Sequence, residues 1–206
     1  MLRRDFLLAS SAIGLLAALP AHAASGPQIG QTAPDFAGTD SNGKPVRLAD
    51  LRGKTVVLEW TNHDCPYVRK HYGSANMQGL QKAATQAGIV WLSIVSSRPG
   101  AEGYVTGPEA NDLTVKRAAA PTAVVLDPTS VIARAYAART TPHMYIIDAK
   151  GTLVYMGGID DTPSSNPADI PKSRNYVSQA LNEIATGKPV SEPVTRAYGC
   201  SVKYAS

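Results

Sequence analysis

Cys65 lies at the junction between an apolar run over Lys54–Trp60 and a helix-like segment that begins at Pro66. A thiol at the first turn of a helix faces unpaired backbone N–H groups and the positive end of the helix dipole, and both stabilise a thiolate. Proline is favoured at the first helical position, where its missing N–H is no loss, so Pro66 fits this geometry. The junction therefore predicts a reactive thiolate at Cys65. The plainer interpretation is a buried cysteine that packs as a small apolar side chain.

The second cysteine, Cys200, is the only internal thiol that could react with Cys65. The position three residues after Cys65 is Val68, so the chain lacks the local resolving thiol of a Cys-x-x-Cys motif. A sulfenic acid or mixed disulfide at Cys65 could be resolved by Cys200, and the bond could then be reduced by an external thiol system. Alternatively, the two cysteines form a permanent staple that closes a 135-residue loop. In the chain-entropy description such a staple contributes about 4 to 5 kcal/mol.

Three histidines lie near candidate site residues in the sequence: His63 and His71 flank Cys65, and His143 lies farther along the chain. They predict either stabilisation of the thiolate by an imidazolium or, together with the thiol, a metal site. The six residues from Cys65 to His71 turn through about 600° on a regular helix, which places the two side chains on different faces. We therefore predict no metal and no cofactor. The carboxylate of Asp64 should raise the pKa of the thiol unless it points outward or caps the helix.

Apolar runs alternate with helix-like segments along most of the chain. Five main strands are predicted, over residues 54–60, 89–95, 122–126, 144–148 and 152–156, of which the last two form a hairpin. Helices are predicted over residues 66–88 with a bend at 73–74, then over 109–118, 130–137 and 173–186. Strands that alternate with helices and end in a hairpin and a helix predict an α/β protein with a central mixed β-sheet flanked by helices.

The order of these elements, with a cysteine after the first long strand and a proline just before the hairpin, resembles the thioredoxin fold. Within that superfamily the chain is most similar to the redoxin group, which includes alkyl hydroperoxide reductase and thiol-specific antioxidant proteins (AhpC/TSA). The similar segments, which together span most of residues 30–187, are Gly30–Phe36, Leu51–Trp60, Cys65–Pro66, Thr141–Pro142 and Tyr145–Asp148.

The resemblance implies roles for residues outside the cysteine pair. It implies a cis peptide bond between Thr141 and Pro142 beside the reactive sulfur, where the backbone of Thr141 can pair with a bound polypeptide or thiol substrate. An ordinary trans turn is the alternative. It also implies that Glu59, six residues before Cys65, is similar to the buried acid that assists proton transfer in thioredoxins. The alternative for Glu59 is a strand residue that faces solvent.

The chain departs from the peroxiredoxin pattern at two positions. Peroxiredoxins place Thr or Ser three residues before their peroxidatic cysteine and an arginine nearby, which orients and polarises the peroxide. Here the first position is Asn62, and Pro142 stands approximately where the arginine would align. The usual constellation for peroxide chemistry is therefore incomplete, and the sequence leaves open whether Arg98 or Arg139 replaces that arginine in space.

The first 23 residues have the features of an export signal. Arg3–Leu7 resembles the twin-arginine export motif, Phe6–Leu19 is apolar, and Ala21–Ala23 is a small-x-small cleavage pattern. The apolar stretch has 14 residues, fewer than the roughly 18 expected of a spanning helix, so we expect no stable membrane anchor. These features predict a protein exported to the periplasm of a Gram-negative bacterium, by the twin-arginine route rather than as an ordinary secretory protein.

The part after the signal is long enough for one domain with a full core and leaves little room for a second. We predict a thioredoxin-like (redoxin) domain over residues 24–187 and a C-terminal tail over residues 188–206 that carries Cys200. The formal net charge of +4 is modest. The chain has no basic run and no basic patch interleaved with aromatic residues, so we expect no nucleic-acid partner.

These observations lead to one functional hypothesis and two rivals. The first is a periplasmic thiol-dependent oxidoreductase or antioxidant with Cys65 as nucleophile, Cys200 as candidate resolving thiol, and Pro142 shaping the substrate site. Its partners would be an external thiol reductant or oxidant system and protein thiols or hydroperoxides. One rival is a binding protein on the same scaffold, for copper or for a polypeptide. The other is a redox-silent fold with a structural Cys65–Cys200 disulfide.

Overall fold

Every residue of the neighbouring parallel strands β3 (Val56–Trp60) and β4 (Val90–Val95) is buried, and these strands come from two apolar runs of the sequence. Such near-continuous apolar runs are typical of strands that are covered on both faces of a sheet. The computed structural model of the protein describes residues 26–205. The predicted export signal lies outside the described residues.

The described strands other than β3 and β4 are β1 (Ala37–Asp40), β2 (Pro45–Arg47), β5 (Ala123–Leu126), β6 (Thr140–Thr141), β7 (His143–Ile147), β8 (Leu153–Gly157) and β9 (Cys200–Ser201). The described α-helices are α1 (Pro66–Gly73), α2 (Asn76–Gln86), α3 (Gly107–Lys116), α4 (Val131–Ala135) and α5 (Tyr176–Ala185). Two short 3-10 helices cover Leu48–Leu51 and Pro167–Lys172.

Seven strands form one sheet in the order β2-β1-β5-β4-β3-β7-β8. Strands β3, β4 and β5 are parallel, whereas β7 runs antiparallel to both β3 and β8, and β1 runs antiparallel to both β2 and β5. The predicted α/β class, a thioredoxin-like fold with a central mixed sheet flanked by helices, is therefore confirmed.

Alternate residues of β3 enter different apolar layers because successive side chains of a strand point to opposite faces of the sheet. Leu58 and Trp60 belong to a cluster that includes residues of α4, whereas Val57 belongs to a second cluster that includes residues of α1, α2 and α5. Cys65 lies in this second cluster. The polar side chain of Glu59 points into the same layer as Val57, since the two residues are separated by two positions.

The helical segment after Cys65 begins and bends where the sequence predicts. Cys65 is the N-cap of α1 and Pro66 is its first residue. Ser74 ends α1, and Ala75 has a left-handed backbone conformation with φ 59°, so the chain changes direction before α2 begins. The predicted bend near Gly73 and Ser74 is thus confirmed as a break between two helices.

Two parts of the structure were not expected from the sequence. The segment 157–172, between the last predicted strand and the last predicted helix, contains the second 3-10 helix and a buried aspartate, Asp160, with 3% of its surface exposed. The tail packs on the domain through elements that the sequence did not predict, because β9 pairs with β6 and Val194 forms a bridge with Met156. Between residues 26 and 205, no helix is long and apolar enough to span a membrane.

Candidate active site

The turn before α1 holds Cys65 at the corner between β3 and the helix. Asn62 is 2% exposed, and its backbone carbonyl accepts a hydrogen bond from Cys65 N at 3.2 Å. The side-chain oxygen of Asn62 accepts another from Asp64 N at 2.8 Å. Gly103 packs directly on this amide, since a Cβ at Gly103 would come within 2.2 Å of Asn62 Oδ1. Asn62 therefore shapes the backbone that presents the thiol.

The Cys65 thiol is fully buried and lies against the segment that contains Pro142. Its Sγ donates a hydrogen bond to the carbonyl oxygen of Thr141 at 3.1 Å, and its exposed fraction is 0%. The peptide bond between Thr141 and Pro142 is cis, as the resemblance implied. The structure therefore brings Cys65 together with Thr141 and Pro142, although Cys65 and Thr141 are 76 positions apart in the sequence.

The tail brings Cys200 to the same place. Strand β9 pairs antiparallel with β6, with Cys200 opposite Thr141, and the Thr141 hydroxyl donates to the carbonyl of Cys200 at 3.4 Å. Both cysteines are free thiols, and their side chains are hydrogen-bonded to one another. The tail thus covers Cys65, and its strand β9 pairs with the backbone of Thr141, the residue before Pro142.

The surroundings of the two thiols displace their pKa values in opposite directions. Burial acts to raise the pKa of Cys65, but it is outweighed by hydrogen bonds from the Cys200 thiol, from the backbone N–H of Val68 and of Cys200, and from the Thr141 hydroxyl, so the pKa is lowered. Val68 is the third residue of α1, where a backbone N–H is free to stabilise an anion. Burial and the neighbouring Cys65 raise the pKa of Cys200 to about 12. Cys65 therefore ionises first, and the proton of the pair stays on Cys200.

The charged neighbours of Cys65 in sequence point away from its sulfur. The Asp64 carboxylate is half-exposed, accepts a hydrogen bond from Gly103 N at 3.2 Å and lies 3.5 Å from His63 Nε2. The carboxylate is thus turned outward, which is one of the two geometries that leave the pKa of Cys65 low. The hydrogen-bonding groups around Cys65 Sγ include no arginine side chain.

The three histidines do not meet. His143 lies in the first apolar layer, where its Nδ1 accepts from Arg139 N at 3.3 Å and lies 3.2 Å from the Tyr145 hydroxyl. Burial, with a smaller effect of Arg139, lowers the pKa of His143 to about 4, so its imidazole is neutral at neutral pH. These contacts of His143 do not involve the Cys65 thiol. Among residues 26–205, no group of three or more His, Cys, Asp or Glu side chains is arranged to hold a metal ion.

Glu59 is buried with 0% exposure, which excludes the alternative of a solvent-facing strand residue. Its carboxylate accepts four hydrogen bonds, which come from the side chains of Tyr72 and Trp91 at 2.8 Å, Ser93 at 2.8 Å and Gln81 at 3.1 Å. Burial raises the pKa of Glu59, although these hydrogen bonds oppose the shift. Tyr72 belongs to α1, so Glu59 is connected to the helix that carries Cys65 at its N-terminus.

A buried polar cluster beneath the tail was missed in the sequence analysis. Lys70 and Asp160, with side chains 0% and 2% exposed, form an ion pair with 3.1 Å between Nζ and Oδ2. The hydroxyl of Tyr198 donates to Asp160 Oδ1 and lies 3.3 Å from His71 Nε2. We call these four residues the tail anchor. The available signal was the position of Tyr198, two residues before Cys200, but nothing in the sequence connects it to Lys70 or Asp160.

Gly199 allows the tail to approach Thr141 closely, and replacing it by alanine should separate the two thiols. Its φ is +134°, and a Cβ would come within 2.0 Å of the Thr141 carbonyl oxygen. We expect Gly199→Ala to slow formation of a Cys65–Cys200 bond by about tenfold or more, because the backbone of the tail must move away from Thr141 to make room for the added Cβ. The measurement is the rate of bond formation under mild oxidant, followed by quenching and mass analysis.

The matched control for this variant is Gly187→Ala. Gly187 also has a positive φ, +70°, but no atom lies within 4 Å of its added Cβ. It therefore introduces backbone strain at the start of the tail without touching Thr141. Equal rates for Gly199→Ala and the wild type would show that the close approach does not determine where Cys200 sits.

Comparison with known proteins identifies the group to which this site belongs. Residues 29–156 match the AhpC/TSA family. The thiol-disulfide oxidoreductase ResA of Geobacillus kaustophilus is 37% identical over 73 residues, which are 32% of this chain and 42% of that protein. The ResA of Geobacillus thermodenitrificans is 26% identical over 132 residues, which are 61% of this chain and 66% of that protein. The chain thus spans less than two thirds of the length of either relative.

A solved structure supports the fold over a larger part of the chain. The crystal structure of an uncharacterized conserved protein from Geobacillus kaustophilus matches with a TM-score of 0.73 at 26% identity, and the match covers 86% of this chain and 93% of that one. The family match covers more than half of the 206 residues. The chain therefore belongs to the AhpC/TSA family.

Proposed function

We propose that the protein is a thiol-disulfide oxidoreductase that uses Cys65 and Cys200 as its redox pair. The observation that carries the proposal is geometric: β9 places the free thiol Cys200 opposite Thr141, whose carbonyl accepts the hydrogen bond of Cys65 Sγ. The pKa is lowered at Cys65 and raised at Cys200. This is the division that exchange chemistry needs, because the nucleophile must be a thiolate while its partner holds the proton until it acts. Two relatives that bear the name thiol-disulfide oxidoreductase support the same class of reaction.

The proposed cycle has two exchange steps. The Cys65 thiolate attacks one sulfur of a substrate disulfide, which forms a mixed disulfide and releases the other sulfur as a thiolate that takes up a proton. Cys200 then loses its proton and attacks Sγ of Cys65. This forms the Cys65–Cys200 bond and releases the second substrate thiol, so the substrate gains two electrons and two protons. An external dithiol returns the pair to its reduced form, and the same steps in reverse would oxidise a substrate dithiol.

The absence of a cysteine at Val68 distinguishes this pair from a Cys-x-x-Cys motif. The resolving thiol comes from β9 and not from the first turn of α1. In this proposal the tail must move so that a substrate sulfur can reach Cys65, since Cys65 has no exposed surface while the tail is in place. The backbone of Thr141, which now pairs with Cys200, would then be free to pair with a polypeptide substrate.

Other site residues support this chemistry in distinct ways. Asn62 shapes the turn that holds Cys65, and Pro142 places the Thr141 carbonyl against Sγ. Glu59 is the proposed proton carrier, because burial raises its pKa and it is hydrogen-bonded to Tyr72 of α1. His143 borders a cavity of about 590 Å³ on the other side of Pro142, where we assign it a supporting role in shape rather than in charge.

The cellular setting is part of the proposal. We infer from the first 23 residues that the protein is exported to the periplasm, where external thiol systems and protein thiols or disulfides would be its partners. We retain the division into a redoxin domain over residues 24–187 and a tail over residues 188–206. Hydroperoxides are the weaker class of substrate, because within residues 26–205 the groups that hydrogen-bond to Cys65 Sγ include no arginine to polarise the peroxide.

The experiment that tests the proposal is a redox titration of the exported chain. The protein is equilibrated with mixtures of reduced and oxidised dithiothreitol, acid-quenched, alkylated and weighed by mass spectrometry. We expect a single two-electron transition in which a Cys65–Cys200 bond forms and opens while the protein stays folded. Cys65→Ser and Cys200→Ser should each abolish the transition, which identifies the two sulfurs.

Two outcomes would reject the proposal. A bond that opens only when the protein is unfolded in denaturant would identify a structural staple. If the two thiols form no disulfide at any ratio of reduced to oxidised dithiothreitol, Cys65 is a buried packing residue. Addition of Cu(I) to the reduced protein in the same preparation separates the copper-binding rival, since stoichiometric uptake without any disulfide transition would favour that rival.

A further inference from the structure

The tail anchor connects Tyr198, in the segment that carries Cys200, with Lys70, His71 and Asp160 beneath it. Lys70 directs its ammonium group to three oxygens: Asp160 Oδ2 at 3.1 Å, the Thr162 carbonyl at 2.9 Å and the Tyr198 hydroxyl at 3.4 Å. All three N–H donors of the lysine are thus used inside the protein. Removing two charges from water is costly, so a buried pair of this kind is poor evidence for a gain in stability alone. Its geometry indicates that it holds a neighbouring group in place.

The group held in place is the hydroxyl of Tyr198. His71 Nδ1 lies 2.9 Å from the side-chain nitrogen of Asn76, which is a donor, so Nδ1 accepts and the imidazole proton is on Nε2. Nε2 therefore donates to the Tyr198 hydroxyl at 3.3 Å. With Lys70 as a second donor and Asp160 as acceptor, this hydroxyl makes three hydrogen bonds in a site that is closed to water.

The strand pairing that holds Cys200 itself is short. Strands β6 and β9 share only two residue pairs, and a two-stranded pairing of that length is marginal by itself. Beyond Cys200 the chain is held by Val202 N on the Arg139 carbonyl at 3.1 Å, by Arg98 N on the Lys203 carbonyl at 3.0 Å, and by hydrogen bonds of the Tyr204 hydroxyl. Before Cys200, the aromatic ring of Tyr198 packs edge-on against Tyr67 with 5.8 Å between ring centroids. The Tyr198 hydroxyl makes the three hydrogen bonds of the tail anchor. Tyr198 is therefore the nearest side-chain attachment on this side of the resolving cysteine.

We propose that Tyr198 is a positioning residue for Cys200, and that the buried Lys70–Asp160 pair is the fixed point to which it attaches the resolving thiol. This inference rests on the proposed function, since it assigns a residue to the second exchange step. By holding the tail at Tyr198, two residues before Cys200, the anchor raises the effective concentration of this thiol at Cys65. It also keeps the Cys200 thiol in position to donate its hydrogen bond to Cys65.

The test is Tyr198→Phe, which removes only the hydroxyl and keeps the ring. A hydrogen bond to a charged group is commonly worth about tenfold in an equilibrium constant or more. We expect the equilibrium constant for forming the Cys65–Cys200 bond, measured against dithiothreitol, to fall by about tenfold. That fall makes the reduction potential less negative by about 30 mV for this two-electron couple. The midpoint of the pH profile for alkylation of Cys65 should also rise, because the Cys200 thiol then donates its hydrogen bond to Cys65 for a smaller fraction of the time.

Tyr136→Phe is the matched control. Tyr136 is also fully buried, and its hydroxyl donates to the Pro34 carbonyl at 2.7 Å, in the first apolar layer and outside the tail anchor. It therefore loses one buried hydroxyl without touching the anchor. A structural effect alone would lower the midpoint of urea unfolding for both variants and leave the potential and the alkylation profile of both unchanged.

The possible outcomes separate this inference from the proposed function. A reversible couple in the wild type with the same potential in Tyr198→Phe overturns the positioning role and leaves the redox proposal standing. A shift of similar size in Tyr136→Phe overturns it as well. The absence of a reversible couple in the wild type overturns both. Asp160→Asn provides a second measurement, since it keeps the shape of the side chain but weakens its contacts with Lys70 and Tyr198, and it should shift the potential further in the same direction.

Discussion

Replacing Cys65 by serine is expected to reduce the rate of disulfide exchange by about a thousandfold or more, because a hydroxyl cannot supply the ionised nucleophile that attacks sulfur. Replacing Cys200 by serine should leave the first attack almost intact. It should stop the cycle at the mixed disulfide, since no second thiol is present to release the substrate. The measurement is stopped-flow exchange with a peptide disulfide, with the trapped adduct identified by intact mass.

The two variants at Cys200 also test why Cys65 is acidic. Serine retains an O–H that can donate to the Cys65 sulfur, whereas alanine retains no donor. We therefore expect Cys200→Ala to raise the pKa of Cys65 and Cys200→Ser to leave it nearer to the wild-type value. A low pKa in both variants would assign the effect to the groups that both variants retain, which are the backbone N–H of Val68 at the start of α1, the backbone N–H at position 200 and the Thr141 hydroxyl.

A result in the opposite sense would change the assignment of roles. If Cys200→Ser eliminated the first attack while Cys65→Ser retained it, Cys200 would be the nucleophile. The geometry argues against that outcome, because the pKa of Cys200 is raised to about 12 by burial and by the neighbouring Cys65. A thiol with so high a pKa is almost entirely protonated at neutral pH, and the protonated form is not a nucleophile.

The corner that carries Cys65 could be predicted because its signals are local. An apolar run of strand length ends shortly before the cysteine, and Pro66 marks the first turn of the helix that follows. The break at Ala75 was also visible as Gly73 and Ser74 within a helical pattern. Each of these features depends on residues within one or two turns of the chain, so the sequence contains the whole argument.

The docking of the tail could not be predicted for the opposite reason. Strands β6 and β9 have two residues each, too few to show an alternating pattern, and Thr141 and Cys200 are 59 positions apart. The sequence therefore left the pairing of the cysteines open. It also gave no reason to bury Lys70 or Asp160, since charged residues are mostly exposed unless they find a partner, and a partner 90 positions away cannot be read from spacing.

The histidines show how proximity in sequence can mislead. His143 is adjacent to Pro142, whose neighbour Thr141 contacts Cys65, yet its side chain enters the layer of Trp60 and Tyr145 while Cys65 lies in the other layer. The alternation of a strand places neighbouring residues on opposite faces of the sheet. A cluster of residues in sequence therefore became two separate environments in space.

Replacing Glu59 by alanine is expected to lower the free energy of unfolding by about 3 to 5 kcal/mol, because it leaves a cavity and deprives four buried donors of their acceptor. Glu59→Gln should cost less, about 1 to 2 kcal/mol, since its amide oxygen can still accept and the Tyr72 hydroxyl can turn to accept from its amide nitrogen. Urea unfolding followed by tryptophan fluorescence measures both, because Trp91 is itself one of the donors.

The pH dependence of the same variants tests the state of the carboxyl group. Burial raises the pKa of Glu59 above its ordinary value of 4.5, so the folded protein holds this proton more tightly than the unfolded chain does. The stabilisation from the protonated carboxyl is therefore complete below pH 4.5 and is lost as the pH rises through the raised pKa. Glu59→Gln has no such titration. The stability of the wild type relative to Glu59→Gln should fall as the pH rises through that interval.

Glu109→Gln is a control with the opposite sign. Hydrogen bonds from the backbone N–H and the hydroxyl of Thr106 lower the pKa of Glu109, which is a surface residue at the start of α3. Its contribution is present above its ordinary pKa and is lost as the pH falls through the lowered value, so the wild type should gain on Glu109→Gln with rising pH. Parallel pH curves for the wild type and Glu59→Gln would mean that Glu59 titrates in the folded protein as it does in the unfolded chain. Since a carboxyl group of that kind is ionised at neutral pH, Glu59 could then no longer deliver a proton to the thiol pair, and its proposed role as proton carrier would have to be abandoned.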